Sequence, residues 1–136
     1  MQILKIVLLI LFFLFVNLFL KGGNSMQNVV FLIGRLVSDP EIKKSETEKD
    51  YTVITLAVQR PFKNAEGLYE SDFIRCQLWN GIATNVGEYC HKGDLIGIKG
   101  RIQIRSYVDN EETKYITEII ADKVSFLSSK KQEEVE

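Results

Sequence analysis

The sequence predicts an all-β domain preceded by a hydrophobic leader. Runs rich in β-branched residues are separated by charged or Gly- and Pro-containing turns, and only residues 80–90 show helical spacing of apolar residues. The 136 residues are 46% hydrophobic and 26% charged, which fits one ordinary globular domain and excludes disordered and low-complexity classes. Two cysteines exclude a disulfide-dense secreted scaffold.

The leader comprises the first 25 residues and contains no acid. Its apolar run, 6–20, has one polar interruption and is flanked by Lys5 and Lys21. Three interpretations stay open. The first is a signal peptide, although no small-residue cleavage site follows the apolar run. The second is a membrane anchor, although the run is shorter than the roughly 20 residues that a span needs. The third is that the leader is upstream sequence that is not translated. We favour the third, with Met26 as the start, because 21–23 (Lys-Gly-Gly) can be encoded by a bacterial ribosome-binding site.

The chain from Met26 onward is the expected working protein. It has 111 residues, with fifteen Lys and Arg against eighteen Asp and Glu, a net charge of −3. This length suffices for one modest core. We expect one domain over 26–127, followed by a short, disordered polar tail over 128–136.

The elements follow in order along this domain. The predicted strands, with one helix between the third and fourth, are 28–37, 51–59, 72–79, 95–105 and 114–127. Gly34 inside the first strand indicates a bulge or a close backbone approach. Arg60-Pro61 ends the second strand before a turn-rich loop over 61–71, and 107–113 is a polar hairpin tip.

The helix is predicted over 80–90, with Asn80 as a candidate N-cap. Its expected apolar side consists of Ile82, Val86, Tyr89 and Cys90. Five strands with one helix between strands 3 and 4 indicate a five-stranded OB-fold barrel, a fold whose face binds oligonucleotides or oligosaccharides.

The third and fourth strands each have an aliphatic face and an unusual opposite face. Because side chains alternate along a strand, the predicted core faces are Ile74, Cys76 and Leu78 in the third strand, and Ile96, Ile98, Gly100, Ile102 and Ile104 in the fourth. The opposite faces hold Phe73, Arg75, Gln77 and Trp79, and then Lys99, Arg101, Gln103, Arg105 and Tyr107. No acid interrupts 73–79 or 99–107.

Cations interleaved with aromatic rings are typical of a single-stranded nucleic-acid surface. Cations neutralise phosphates and release counterions, and aromatic rings stack on bases of any identity. A lone Phe or Trp is more often a core residue. Here the alternation places Phe73 and Trp79 opposite an aliphatic core face, so we predict that both stack on bases.

The chain resembles the bacterial single-stranded DNA-binding protein family over nearly all of residues 26–127. The matching segments are NVVFLIGRLVSDPE (28–41), ITLAVQRPFKNAEG (54–67), SDFIRCQLW (71–79), VGEYCHKGDLIGIKGRIQIRSY (86–107) and YITEIIADKVSFL (115–127). The resemblance implies an OB-fold homotetramer that wraps single-stranded DNA in replication, recombination and repair. It also implies a cytoplasmic, nucleoid-associated protein.

The same resemblance implies the site residues. The family's four stacking positions fall on Phe62, Phe73, Trp79 and Tyr107, and its backbone-contacting cations correspond to Arg75, Lys92 and Arg105. Their positions add Arg60, Lys63, Lys99 and Arg101 as candidate phosphate contacts. Many members continue into a Gly/Gln/Pro-rich linker and an acidic tip ending in Pro-Phe that recruits partner enzymes. This sequence lacks that tip, so it resembles short paralogues or mobile-element copies, and recruitment is in doubt.

No residue pattern indicates catalysis, a metal site or a cofactor. His91 is the only histidine and lies beside a Lys-Gly turn, and Cys76 and Cys90 form no CxxC pair. Two alternatives to DNA binding remain. One is an RNA-binding OB-fold module, because stacking alone does not distinguish the two nucleic acids. The other is a secreted carbohydrate-binding OB-fold, if the leader is a signal peptide.

Overall fold

The computed structural model describes residues 2–20 and 26–128 of the chain, with a small β-barrel as its main body. Its elements are α1 (Gln2–Leu20), β1 (Val30–Leu36), β2 (Lys43–Lys44), β3 (Asp50–Lys63), β4 (Tyr69–Trp79), α2 (Asn80–Tyr89), β5 (Leu95–Asp109) and β6 (Glu112–Ser128). The five predicted strands are β1 and β3 to β6. The additional β2 is a two-residue strand in the charged segment after β1. The tail predicted from residue 128 lies outside the described residues except for Ser128, which ends β6.

The strands form one sheet that closes on itself. Their order is β1-β5-β6-β4-β3-β2, and a further antiparallel pairing of β1 with β3 joins the two ends of the five long strands. All neighbouring pairs are antiparallel except β4 and β6, which pair in parallel at Cys76↔Ile119 and Gln77↔Ile120. The helix α2 lies between β4 and β5 in the chain. This closed barrel with one helix confirms the predicted OB-fold.

The core lies inside the barrel and under α2. Cys76 and Leu78 of β4 are fully buried and Ile74 packs against the core, as the alternation predicts. The other buried apolar side chains are Leu36, Ile54, Leu56, Ala83, Val86, Cys90, Ile96, Ile98, Ile119 and Ala121. Gly34 is the close backbone approach expected from the sequence, because a Cβ there would lie 2.7 Å from the carbonyl oxygen of Ala57.

The β3–β4 hairpin is longer than the sequence predicts. Pro61 was expected to end the strand, but β3 continues to Lys63 and β4 begins at Tyr69. The ladder runs regularly to Gln59↔Ser71 and then shifts register before Lys63↔Tyr69, so Pro61 falls in an irregular stretch, which tolerates its missing N–H. The turn between the strands is held by Asn64, whose side-chain oxygen accepts hydrogen bonds from the backbone N–H groups of residues 66 and 68.

The β5–β6 hairpin also extends further than predicted, and this overturns part of the predicted core. Ile102 and Ile104 are 43% and 65% exposed. The pairing of β5 with β1 ends at Gly100, whereas its pairing with β6 continues to Asp109. The hairpin therefore extends beyond β1. Ile102 and Ile104 lie on the core side of β5, but no residue of β1 pairs with this part of the strand to help cover them. The predicted polar tip over 107–113 is reduced to a turn at residues 110–111 between two long strands.

Two predictions for the helix are wrong. The helix α2 begins at Asn80, so Trp79 and not Asn80 holds the N-cap position, and it makes no side-chain capping bond. The backbone of Asn80 itself has a φ of 55°, in the left-handed region. Tyr89 was expected on the apolar side, but it is exposed and packs edge-on against Phe126 of β6. The helix meets the core through Ala83 and Val86, with Ile82 partly buried against it and the C-cap residue Cys90 buried as well.

The leader forms the helix α1 over most of its length. Its described side chains are exposed apart from the half-buried Val16. Among the described residues, no helix combines the length and apolar character needed to cross a membrane.

Candidate nucleic-acid interface

The outward face of β4 carries two aromatic side chains that are not part of the core. Phe73 is 68% exposed and Trp79 is half-buried, on the side of β4 opposite Cys76 and Leu78. The antiparallel register places Tyr51 of β3 directly opposite Trp79. Directly opposed residues in a sheet have neighbouring side chains on one side, so the two strands build this face together.

Trp79 is held from two directions. Its ring stacks on that of Tyr51, with centroids 5.0 Å apart and planes 26° apart. Its indole Nε1–H donates to the side-chain oxygen of Gln77 at 3.2 Å. These two contacts restrict the rotation of the ring in the absence of a ligand, which lowers the entropic cost of stacking on it.

The projecting β5–β6 hairpin supplies the second half of the face. Arg101, Gln103, Arg105 and Tyr107 alternate along β5, and Gln103 pairs with Glu118 of β6. The amide of Gln77 on β4 donates to Glu118 at 2.7 Å, and the Arg105 guanidinium donates to the same carboxylate at 2.9 Å. These bonds join the two hairpins into one surface. We call it the aromatic–basic face, made up of Phe73, Arg75, Gln77, Trp79, Arg101, Gln103, Arg105 and Tyr107.

Arg60, Phe62 and Lys63 lie together near the tip of the β3–β4 hairpin. Phe62 is exposed, and the Lys63 ammonium lies 5.7 Å from the ring centroid of Tyr69. Arg60 forms salt bridges at 2.8 Å with two carboxylates, those of Asp72 and Glu70, whereas Arg105 is paired with the single carboxylate of Glu118. The hydrogen bond from Arg60 lowers the pKa of the Asp72 carboxyl and raises that of the guanidinium, so the pair stays charged. A phosphate would have to compete with these carboxylates for Arg60.

Lys92 and Lys99 lie outside β4, in the turn before β5 and in the first half of β5. Lys92 is exposed in the turn before β5, where its backbone N–H donates to the Asp39 carboxylate at 2.7 Å. Lys99 is paired with Phe31 of β1 on one side and Lys123 of β6 on the other. The structure thus brings Arg75, Arg101 and Arg105 onto the aromatic–basic face and leaves Lys92 and Lys99 on neighbouring parts of the barrel.

Two residues that contact the aromatic–basic face, Tyr51 and Glu118, are not predicted from the sequence. Tyr51 could have been found, because Ile54 and Leu56 point inward and the same alternation turns Tyr51 outward with Trp79. Glu118 could not, because its partners come from two other strands and the cross-strand register is not visible in the sequence. It is the one buried acid among the described residues.

The titratable groups nearby offer little for covalent chemistry. Cys76 and Cys90 are free and buried, and burial raises the pKa of Cys76 to about 12 and of Cys90 to about 11. Both thiols are therefore protonated at neutral pH and are weak nucleophiles. Within residues 2–20 and 26–128, no group of three or more His, Cys, Asp or Glu side chains could hold a metal ion.

The fold and this face together define an OB-fold protein of the nucleic-acid-binding class. Comparison with known proteins identifies the family. Residues 27–127 match the model of the single-strand binding protein family. Single-stranded DNA-binding protein B of Bacillus subtilis strain 168 is 46% identical over 110 residues, which are 79% of this chain and 96% of that protein.

Two further relatives carry the same kind of name. Single-stranded DNA-binding protein 3 of Listeria innocua is 46% identical over 77% of this chain and 66% of its own length. The single-stranded DNA-binding protein of Halalkalibacterium halodurans is 47% identical over 75% of this chain and 61% of its own length. The chain belongs to the single-strand binding protein family, as the sequence motifs predict.

Proposed function

We propose that this protein binds single-stranded DNA without sequence preference, holding bases on Phe62, Phe73, Trp79 and Tyr107 and phosphates on its Lys and Arg side chains. The observation that carries the proposal is the aromatic–basic face itself. A well-packed aliphatic core lies on one side of β4, and an exposed Phe, a cation and an ordered Trp lie on the other. Exposed rings gain surface burial and stacking only when a ligand covers them.

Single strands suit this face better than duplexes. A ring in water can stack only on a base whose own face is accessible, and the bases of a duplex are already stacked on one another. The contacts that we assign involve ring faces and phosphates, and both are common to every nucleotide. Binding is therefore expected to be tolerant of sequence and sensitive to salt.

The phosphate contacts that we propose are not equivalent. Arg75 lies between Phe73 and Trp79 on β4, where a strand stacked on both rings passes over it. Arg101 and Arg105 occupy the same face on β5. Arg60 is already paired with two carboxylates, so it contributes less. Lys63, Lys92 and Lys99 extend the basic path beyond the face.

The proposed cellular role follows from this activity. A protein that coats exposed single strands serves replication, recombination and repair, and it works beside the nucleoid in the cytoplasm. We propose that residues 26–127 form the binding domain. Its relatives are named as binding proteins, and we propose a binding function without catalysis or cofactor.

We further propose that the protein assembles as a homotetramer. Residues 30–34 of β1 pair with β5 only, since β3 joins β1 at Arg35 and Leu36. Phe31 and Ile33 of this edge strand are exposed, and across β5 they line one shallow depression with the exposed Leu127 of β6. An open strand edge with apolar neighbours is a surface suited to pairing with another copy.

Light scattering of the purified protein tests the assembly. We expect a mass four times that of the chain, because the open β1 edge and its apolar neighbours are covered in the tetramer. The variant Ile33→Lys should lower that mass by placing a charge in the interface. A mass equal to one chain for the unaltered protein would contradict the tetramer.

Removal of a stacking ring tests the proposed site. Phe73→Ala and Trp79→Ala should each weaken binding to an oligo-dT strand by about 1–3 kcal/mol, the range for loss of one stacked base. Fluorescence anisotropy of a labelled strand measures the affinity. Tyr89→Ala is the matched control, because Tyr89 is exposed at the end of α2, outside the aromatic–basic face. Equal affinities for all three variants and the unaltered protein would contradict the assignment.

Salt dependence tests the ranking of the cations. Each phosphate contact adds about 0.7 to the slope of log K against log salt for a single strand. Arg75→Gln should lower that slope by about this amount, whereas Arg60→Gln should change it less, because Asp72 and Glu70 already neutralise Arg60. A larger slope change for Arg60→Gln than for Arg75→Gln would reverse the ranking.

A further inference from the structure

A continuous hydrogen-bond chain crosses the aromatic–basic face from Trp79 to Arg105. The Trp79 indole N–H donates to the Gln77 oxygen at 3.2 Å, and the Gln77 amide nitrogen donates to Glu118 Oε2 at 2.7 Å. From the other side, Arg105 donates to Glu118 Oε1 through Nη2 at 2.9 Å and Nε at 3.3 Å. Three strands, β4, β5 and β6, are joined by these four side chains.

The direction of every bond in this chain is fixed by chemistry. An indole N–H can only donate, so Gln77 must turn its oxygen to Trp79 and its NH₂ group to residue 118. A guanidinium also can only donate. Residue 118 therefore receives donors from both sides and must be a pure acceptor with two oxygens. A Glu that accepts through both of its oxygens fits this position, whereas a Gln would turn its own NH₂ group toward one of the donors.

The placement of Glu118 differs from that of an ordinary surface acid. Its residue is 7% exposed, while the Arg105 side chain that it binds is 54% exposed. A negative charge on a phosphate-binding surface reduces the attraction for DNA. Glu118 is nevertheless buried at the aromatic–basic face, where one of its oxygens accepts a hydrogen bond from Gln77 and the other from Arg105.

We propose that Glu118 is a positioning residue, which fixes the Trp79 indole and the Arg105 guanidinium relative to one another for stacking and phosphate contact. This inference rests on the proposed function. Glu118 itself makes no contact with DNA in this role. It acts through Gln77 on the ring and directly on Arg105, so that the two side chains are ordered before the strand binds.

A positioning role and a purely electrostatic role for Glu118 predict affinity changes of opposite sign. Glu118→Gln removes a negative charge from beneath a basic face, so a purely electrostatic role predicts equal or tighter binding. A positioning role predicts weaker binding, because two side chains must be ordered at the moment of association. Immobilising two such side chains corresponds to about a tenfold loss of affinity.

The test compares three variants for binding of oligo-dT by anisotropy of the labelled strand. Glu118→Gln should bind about tenfold more weakly than the unaltered protein. Glu118→Asp keeps the charge but shortens the side chain by one methylene, and it should also bind more weakly. Glu112→Gln is the control, because Glu112 is an exposed acid on the same strand. It removes the same charge and should bind as tightly as the unaltered protein, or slightly more tightly.

Trp79 reports its own positioning, because it is the only tryptophan in the chain. In the absence of DNA, time-resolved fluorescence anisotropy should show faster local motion of the indole in Glu118→Gln and Glu118→Asp. The indole in Glu112→Gln should move as in the unaltered protein. A residue that only stabilises the barrel would leave this local motion unchanged at temperatures where the variant is folded.

The outcomes distinguish a failure of the positioning role of Glu118 from a failure of the proposed DNA binding. If the unaltered protein does not bind oligo-dT, the proposed function fails. If it binds and Glu118→Gln binds equally or more tightly with an unchanged indole, Glu118 merely neutralises Arg105 and the positioning role is wrong. Should Glu118→Gln unfold at the assay temperature, Glu118→Asp decides. Normal affinity and a normal indole in that variant would overturn the inference.

Discussion

The structure depends on the burial of one face of β4, a long strand in the middle of the sheet. Leu78 and Cys76 are fully buried between β3 and β6, and this burial fixes which way every other residue of the strand points. A shift of one residue in the register of β4 would place Phe73 and Trp79 in the core and Leu78 in water. The aliphatic core thus holds the aromatic–basic face in register, and the stability of the barrel and the geometry of the binding surface have the same cause.

β4 pairs with β3 in antiparallel and with β6 in parallel, so the orientation of its side chains also determines which residues of these two strands lie beside the aromatic–basic face. On one side, β3 brings Tyr51 against Trp79. On the other, the short parallel contact with β6 carries Glu118 under the face, and Glu118 in turn holds Arg105 of β5. The β5–β6 hairpin has no opposite wall beyond Gly100. The hydrogen bonds made by Glu118 therefore tie the start of this hairpin to the barrel.

The fold class and the two faces of β4 could be predicted from the sequence. Alternation along a strand is a local property, and apolar residues occupy positions 74, 76 and 78 in strict alternation. Prediction from the sequence failed where tertiary context decides. Ile102 and Ile104 continue the alternation of β5, but the wall that would bury them is absent. Pro61 indicates a strand end, yet a register shift accommodates it inside β3. The partners of Arg60 and Arg105 are acids on other strands, so the sequence presented both residues as unpaired cations.

We propose that bases stack on Trp79 at this face, and the fluorescence of Trp79 tests this stacking most directly. The protein is titrated with an oligo-dT strand, an RNA strand of equal length and a DNA duplex, each at low and at higher salt. We expect strong quenching by the single DNA strand, weakening as salt rises, and little quenching by the duplex. Quenching by the duplex as strong as that by the single strand would contradict base stacking on Trp79. Stronger quenching by RNA than by DNA would make RNA the preferred ligand.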